Sequence, residues 1–362
     1  MTFYQDKLRV NLNLKNKKVN RFDFLLGLQQ DKTTLNKYKI TGEGLLDLIN
    51  KLGKGERIFL NYKSLTSSKQ ELTIKSNYPY IFDMPFGFDG NMNIYLNEDE
   101  YRDVDFKLAL QYFIKSKTEL KLFWSNNSSR LITLDTTELL SAKTLPDKLD
   151  VTSNNIGFAL SSSNLDYFYN PSKGLSISLE GYIGERNIRK NQSLTSISNE
   201  NVDFSNAYDT LRLKTLTFGS LADISFYWSI GSSIVLKLEN RTGYKYSEGK
   251  IYQNELYKLG GNSILRGFNE QSILAKFYNV FTLEPRMIFG KNSFIFAFFD
   301  YGLINDPYAT NSWDSPYSIG AGINFDTKNG MLQLSVGIGS QYKQALNYKE
   351  STVHIGYVSL FE

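Results

Sequence analysis

The run Ser293-Phe294-Ile295-Phe296-Ala297-Phe298-Phe299-Asp300-Tyr301-Gly302 decides the fold. Taken two at a time, Ile295, Ala297, Phe299 and Tyr301 fall on one face, and Phe296, Phe298, Asp300 and Gly302 fall on the other. Successive side chains of a strand point to opposite faces, so the run reads as a strand between two different environments. The same alternation recurs segment after segment to the C-terminus, with no convincing helix. Polar residues fall on what should be the inside, which favours a transmembrane β-barrel, apolar toward lipid and polar toward the lumen, over a soluble sandwich.

Composition agrees. The chain has 362 residues, and all-β barrels of that length fold as one unit. Mean hydropathy is −0.33 and 22% of residues are charged. The longest apolar run, Phe294 to Phe299, is far short of the roughly 18 residues a spanning helix needs. Any crossing of a membrane must therefore be made by strands. Aromatic residues reach 14%, a load that suits lipid-facing surface and interfacial girdles, although a soluble all-β protein can carry it too. The net charge of +4 is spread without a basic block, so nothing supports a nucleic-acid partner. No cysteine and one histidine exclude thiol chemistry and a His-rich metal site. Met1-Thr2-Phe3-Tyr4-Gln5-Asp6 shows no basic-then-apolar leader, so the expectation is a mature or truncated product.

Alternation and turn chemistry place a short leading strand near 8–16 and then sixteen segments. These lie near 19–31, 37–50, 55–66, 69–81, 86–97, 100–114, 117–135, 152–166, 174–188, 207–229, 232–246, 273–290, 293–304, 316–326, 330–343 and 350–361. An even count fits a closed bacterial barrel. Short turns rich in Gly, Pro, Asn and Lys, such as Lys51–Glu56 and Asn170–Gly174, alternate with long loops, among them Leu134–Val151, Arg189–Asn206 and Ser247–Ser272. Short turns belong to the periplasmic side, which puts both termini there. Glu43–Lys51 has some helical character, but Gly42 and Gly44 favour a strand; Leu139–Leu149 reads as a short surface helix in a loop. Phe281, Leu283, Ile295, Ala297, Phe299, Ile319, Ala321, Ile323, Leu334 and Val336 are expected to face lipid.

One loop stands apart. Gly260-Gly261-Asn262-Ser263-Ile264-Leu265-Arg266-Gly267-Phe268 sets an arginine among apolar residues beside glycines that permit close backbone approach. Phe298-x-Asp300-x-Gly302 follows in a strand, and Glu284 lies between, alternating with Phe281 and Leu283 on the lipid side. A long loop entering a wide lumen could bring the Arg266 guanidinium to both carboxylates. On the residues alone a second reading stands beside it, in which Arg266 is a solvated loop residue and Asp300 an ordinary lumen charge. Catalysis has little support: there is no Gly-x-Ser-x-Gly elbow and no Walker loop, and His354 is the only triad histidine available. No enzymatic activity and no cofactor are expected.

The Leu-Arg-Gly-Phe loop, the Phe-x-Asp-x-Gly strand and the intervening Glu together resemble the bacterial surface antigen superfamily, which includes the BamA and TamA assembly proteins and the FhaC two-partner-secretion transporters. The resemblance extends over nearly the whole chain. It implies a sixteen-stranded antiparallel barrel in the bacterial outer membrane, with an inward-folded sixth outer loop. It implies a lumen latch of Arg266, Gly267, Phe268, Glu284, Phe298, Asp300 and Gly302. Residues 1–17 resemble a remnant, or final strand, of a periplasmic transport-associated domain, and 18–362 the barrel. The ending His354-x-Gly356-x-x-Ser359-x-Phe361 is similar to the C-terminal signal by which such barrels are recognised for insertion; Ser359 replaces one aromatic and Glu362 follows the Phe. The bland alternative for His354 is a lumen or interface side chain.

The implied function is protein insertion at the outer membrane through a lateral gate between the first and last strands. That seam is expected to hold fewer or less regular hydrogen bonds than any other. The alternatives are a two-partner-type secretion pore and the passive anchor of a larger fusion such as a patatin-like lipase. Implied partners are outer-membrane lipid, a client β-barrel or secreted protein, and periplasmic or lipoprotein accessory subunits.

Overall fold

A computed structural model describes residues 2–4, 7–9, 19–30, 38–64, 69–82, 84–97, 100–115, 117–167, 169–199, 202–327, 330–341 and 346–361. Sixteen long strands form one closed antiparallel barrel. They are β1 (Asn20–Gln30), β2 (Tyr38–Ile49), β3 (Arg57–Ser64), β4 (Lys69–Tyr78), β5 (Phe86–Asn97), β6 (Tyr101–Lys115), β7 (Thr118–Leu131) and β8 (Val151–Ser163). The ring continues through β9 (Gly174–Ile188), β10 (Lys214–Ile230), β11 (Ile234–Ser247), β12 (Phe277–Ile288), β13 (Phe294–Asn305), β14 (Tyr317–Thr327), β15 (Gly330–Ser340) and β16 (Thr352–Phe361). Each strand pairs with the next in sequence, and β16 pairs with β1 to close the ring. Closure leaves no open edge, the condition for a sheet to sit in lipid.

The two-residue period sets the faces. Along β13, burial alternates strictly from Phe294 to Leu303: Phe299 is 38% exposed and Asp300 is 1%. Register carries this across the wall, because Phe299 lies opposite Leu283 on β12 and Ile319 on β14, while Asp300 lies opposite Thr282 and Ser318. Ile295, Ala297, Phe299, Ile319, Ala321, Leu334 and Val336 all lie on the exposed side. The outer surface is thus a belt of large apolar side chains, and the inner one carries the polar and charged residues together with aromatics such as Phe296 and Phe298. No helix of the described residues is long and apolar enough to cross a membrane.

Three expectations need correction. Residues 207–213 are not the start of β10 but irregular chain, because Tyr208 is drawn into an apolar cluster with Leu139, Leu149, Leu194, Phe204 and Tyr252. The helix in the 132–150 loop runs Thr136–Ala142, capped by Asp135, and it is not merely superficial, since Leu139 is buried in that same cluster. Among the described residues the β16–β1 seam is not the thinnest ladder: nine consecutive pairs run from Val353↔Leu28 to Phe361↔Asn20, against seven for β15–β16 and eight for β2–β3. Nothing in register marks the seam as weak. At the N-terminus Thr2–Tyr4 pairs with Lys7–Arg9, and residues 10–16 of the expected leading strand lie outside the described residues. No periplasmic transport-associated domain is evident among the described residues.

Candidate functional site in the barrel lumen

β12 and β13 present Thr282, Glu284, Arg286, Phe296, Phe298 and Asp300 to the inside of the barrel, because all share the inward parity of their strands. The 248–276 loop brings Arg266 to them. Its backbone N–H donates to Asp300 Oδ2 at 3.0 Å, its Nε donates to the same oxygen at 3.2 Å, and its Nη2 donates to Oδ1 at 2.9 Å. Nη1 donates to Glu284 Oε2. The guanidinium lies 3.8 Å from the centre of the Phe298 ring, adding a cation–π contact. Asp300 also accepts from Thr282 Oγ1 at 2.8 Å and Ser318 Oγ at 3.1 Å, so its buried charge is fully hydrogen-bonded.

The glycines and apolar neighbours of the motif explain the close fit. A Cβ on Gly267 would stand 2.3 Å from the backbone carbon of Ile338 and 2.4 Å from the nitrogen of Gly339, so only glycine lets the tip lie on β15. A Cβ on Gly302 would meet Pro316 at 3.1 Å. Leu265 adopts φ 57° and is wholly buried in a cluster with Leu259, Ile273, Val280 and Ile304; Phe268 packs against that cluster. A non-glycine residue in this region of backbone space is held there by its packing.

Two parts of the arrangement were not read from sequence. Arg286 donates through Nε to Glu284 Oε1 at 2.9 Å and through Nη1 to Asn170 Oδ1 at 3.0 Å. Glu284 therefore lies between two arginines, and Asn170 of the 164–173 turn is tied into the cluster. The signal was available, since two residues beyond Glu284 is the same face of the strand.

The second part lies across the barrel. Lys258 of the same loop reaches Asp103 Oδ2 on β6 at 2.6 Å and sits over the rings of Tyr95 and Tyr101, 3.8 and 5.2 Å from their centres. Both tyrosines are buried, and Ser129 braces Asp103 at 2.5 Å. Further contacts join Glu255 to Arg186 on β9 at 2.6 Å, Asn254 to Ser129 on β7 at 2.7 Å and Gln271 to Glu71 on β4 at 2.6 Å. No spacing rule announces Lys258, because its partners lie more than 150 residues away. The loop also lines two polar cavities, of about 530 and 390 Å³.

At the C-terminus, His354 and Gly356 face inward and are buried, opposite Gly27 and Leu25 across the seam, whereas Phe361 ends the β16 ladder opposite Asn20. His354 lies beside the Arg266 backbone and pairs with Ser335, which shares a cavity with Arg266, Glu284 and Asp300; Phe361, at the far end of β16, does not belong to that cluster. No group of three or more His, Cys, Asp or Glu able to hold a metal occurs among the described residues.

Comparison with known proteins matches residues 50–357 to the Omp85 superfamily domain, and the chain belongs to that superfamily. Among solved structures it is similar to BamA from Haemophilus ducreyi lacking POTRA domains 1–3, with TM-score 0.60 and 14% identity, covering 95% of this chain and 71% of that one. It is also similar to CdiB from Acinetobacter baumannii (TM-score 0.58, 12% identity, 95% of this chain and 60% of that one) and to CdiB from Escherichia coli (0.58, 14%, 96% and 64%). The chain thus spans less than two thirds of either CdiB chain. At such identities the likeness is one of fold. No curated protein matches the sequence. Members of this superfamily are outer-membrane proteins, and the bacterial outer membrane is where this barrel resides.

Proposed function

We propose that this Omp85-superfamily barrel inserts client proteins into the outer membrane through its wall, between β1 and β16, and that Arg266 with Glu284 and Asp300 forms a latch holding the lumen closed meanwhile. The observation that carries the reading is the loop's attachment to inward-facing residues on opposite walls, which makes the wall the freer route for a client. The β16–β1 pair is the one ladder not joined by a hairpin, so parting it breaks no short connection and exposes strand edges to which a client strand can add. No chemistry and no cofactor enter the scheme. A client is recognised by general strand pairing at the exposed edge.

Leu26 and Ile355 are cross-strand partners on the outer face. A disulfide between Leu26→Cys and Ile355→Cys should leave the barrel folded and stop client assembly in reconstituted vesicles, with activity restored by reductant. Equal assembly by locked and reduced protein would reject the lateral gate. A secretion pore is the second reading, favoured by the two cavities that the loop lines within the lumen; such a pore should export its client despite the locked seam. A passive anchor should be indifferent to both manipulations.

A further inference from the structure

Three arginines line one stretch of the loop-bearing rim, on the lipid side. Arg102 of β6 and Arg130 of β7 are direct cross-strand partners, with the outward parity of Leu108 and Trp124. Arg189 follows β9, and its backbone N–H donates to the Asp150 carbonyl at 2.8 Å. Arg130 lies within electrostatic reach of Arg102, Arg189 and Asp150. Like charges placed directly opposite in a sheet destabilise it, so the row calls for a counter-anion. Asp150 does not fill that role alone: one oxygen accepts from the Leu131 backbone N–H at 2.7 Å and the other from Asn191 at 3.2 Å. Among the described residues no ion pair or side-chain hydrogen bond engages any of the three guanidinium groups.

Height above the membrane narrows the anion. Below the row lies the apolar belt, with Leu122 and Ile156 each 62% exposed and Trp124 at its upper edge. Between belt and arginines, β7 and β8 carry a band of amides, Asn126 bonded to Asn154 at 2.8 Å, while β6 carries Phe106 and Val104 at the same height. Arg130 is six residues past Trp124, about 20 Å along the strand and roughly 15 Å along the membrane normal at barrel tilt. A phospholipid phosphate sits near the tryptophan level. A phosphate carried on a saccharide headgroup stands higher, within reach of long arginine side chains extending down from the rim.

We infer that Arg102, Arg130 and Arg189 form a binding site for the phosphorylated saccharide headgroup of an outer-leaflet glycolipid. The guanidinium fork suits phosphate oxygens, and a bound dianion removes the repulsion within the row. The full chain in detergent is to be titrated with bisphosphorylated lipid A, dephosphorylated lipid A, phosphatidylglycerol and inorganic phosphate, and adducts counted by native mass spectrometry. Expected is retention of bisphosphorylated lipid A alone, weakened by salt. Affinity should fall roughly tenfold for each of R102Q, R130Q and R189Q, the size of a hydrogen bond to a charged group, whereas K190Q, whose partner is the exposed Asp209, leaves it unchanged. All four side chains lie at the surface, and retained heat-resistant migration on gels verifies folding. Equal binding by the triple variant, equal binding of dephosphorylated lipid or phosphatidylglycerol, or displacement by millimolar inorganic phosphate would each overturn the glycolipid site; the last would mean a free-anion site. Capture of an acidic peptide in preference to lipid A would overturn it in favour of a protein partner.

Discussion

At the scale of single residues, the Arg266 cluster differs from the sequence expectation in one respect that changes its energetics. The motif promised one arginine for two carboxylates, so that removing it would leave both uncompensated. Arg286 remains on Glu284, and the uncompensated group is Asp300 alone, 1% exposed with two hydroxyl donors. Arg266→Ala should therefore cost on the order of 3 kcal/mol, the lower end for breaking a buried pair. Adding Asp300→Asn should recover part of it; denaturant unfolding in micelles gives both values, and a fully additive double variant would contradict the pairing. Gly267→Ala should destabilise by about 1–3 kcal/mol through the collision with β15, and if it unfolds like the wild type then the tip does not rest where described.

At the scale of elements, strands were legible because parity survives errors of two or three residues at their ends. The 293–304 segment became Phe294–Asn305, and even Gly42 and Gly44 were rightly placed within a strand. Failure came where a loop has its own apolar core: Ala207 and Tyr208 look like strand residues until Leu194 and Phe204 are known to pack beside them. Parity also yields a mutational contrast. Phe299→Arg, on the lipid side, should cost roughly 2–4 kcal/mol at mid-membrane, while Gln333→Lys, lining a lumen cavity, should cost far less; comparable losses would mean the faces are exchanged. The 164–173 turn offers a pH test. Burial raises the Asp166 pKa, but the Ser172 hydroxyl and the backbone N–H groups of Lys173, Ser172 and Tyr167 outweigh it and hold the carboxyl below its usual value. A depressed folded value stabilises above the unfolded pKa of about 3.9 and is lost as pH falls through the folded one. Amide exchange in the turn should thus accelerate below about pH 4 in wild type and be already fast in Asp166→Asn at neutral pH.

At the scale of the whole molecule, sixteen strands and their order could be counted in the sequence, whereas the loop's second attachment could not, since Lys258, Tyr95, Tyr101 and Asp103 acquire meaning only when the ring has closed. Release of one attachment should leave the other in place. Arg266→Ala and Lys258→Ala singly should each raise single-channel conductance in planar bilayers only slightly, and the double variant should raise it by more than the sum; simple additivity would show that the attachments act independently.

The attachments also bear on mechanics. Lys258 meets β6 and Arg266 meets β13, seven strands apart in a ring of sixteen, so the loop, packed on the β12–β13 wall through Leu259 and Leu265, is tied across the bore by the Lys258 side chain. Such a chord works as a tie rod. A hollow cylinder cut along one seam springs open only if its cross-section is free to turn oval, and a taut chord resists that change in the direction it spans. The state of a loop far from the β16–β1 seam therefore sets the stiffness against which that seam must part, and pulling or slackening the rod at either end is a means of tuning the wall without touching it.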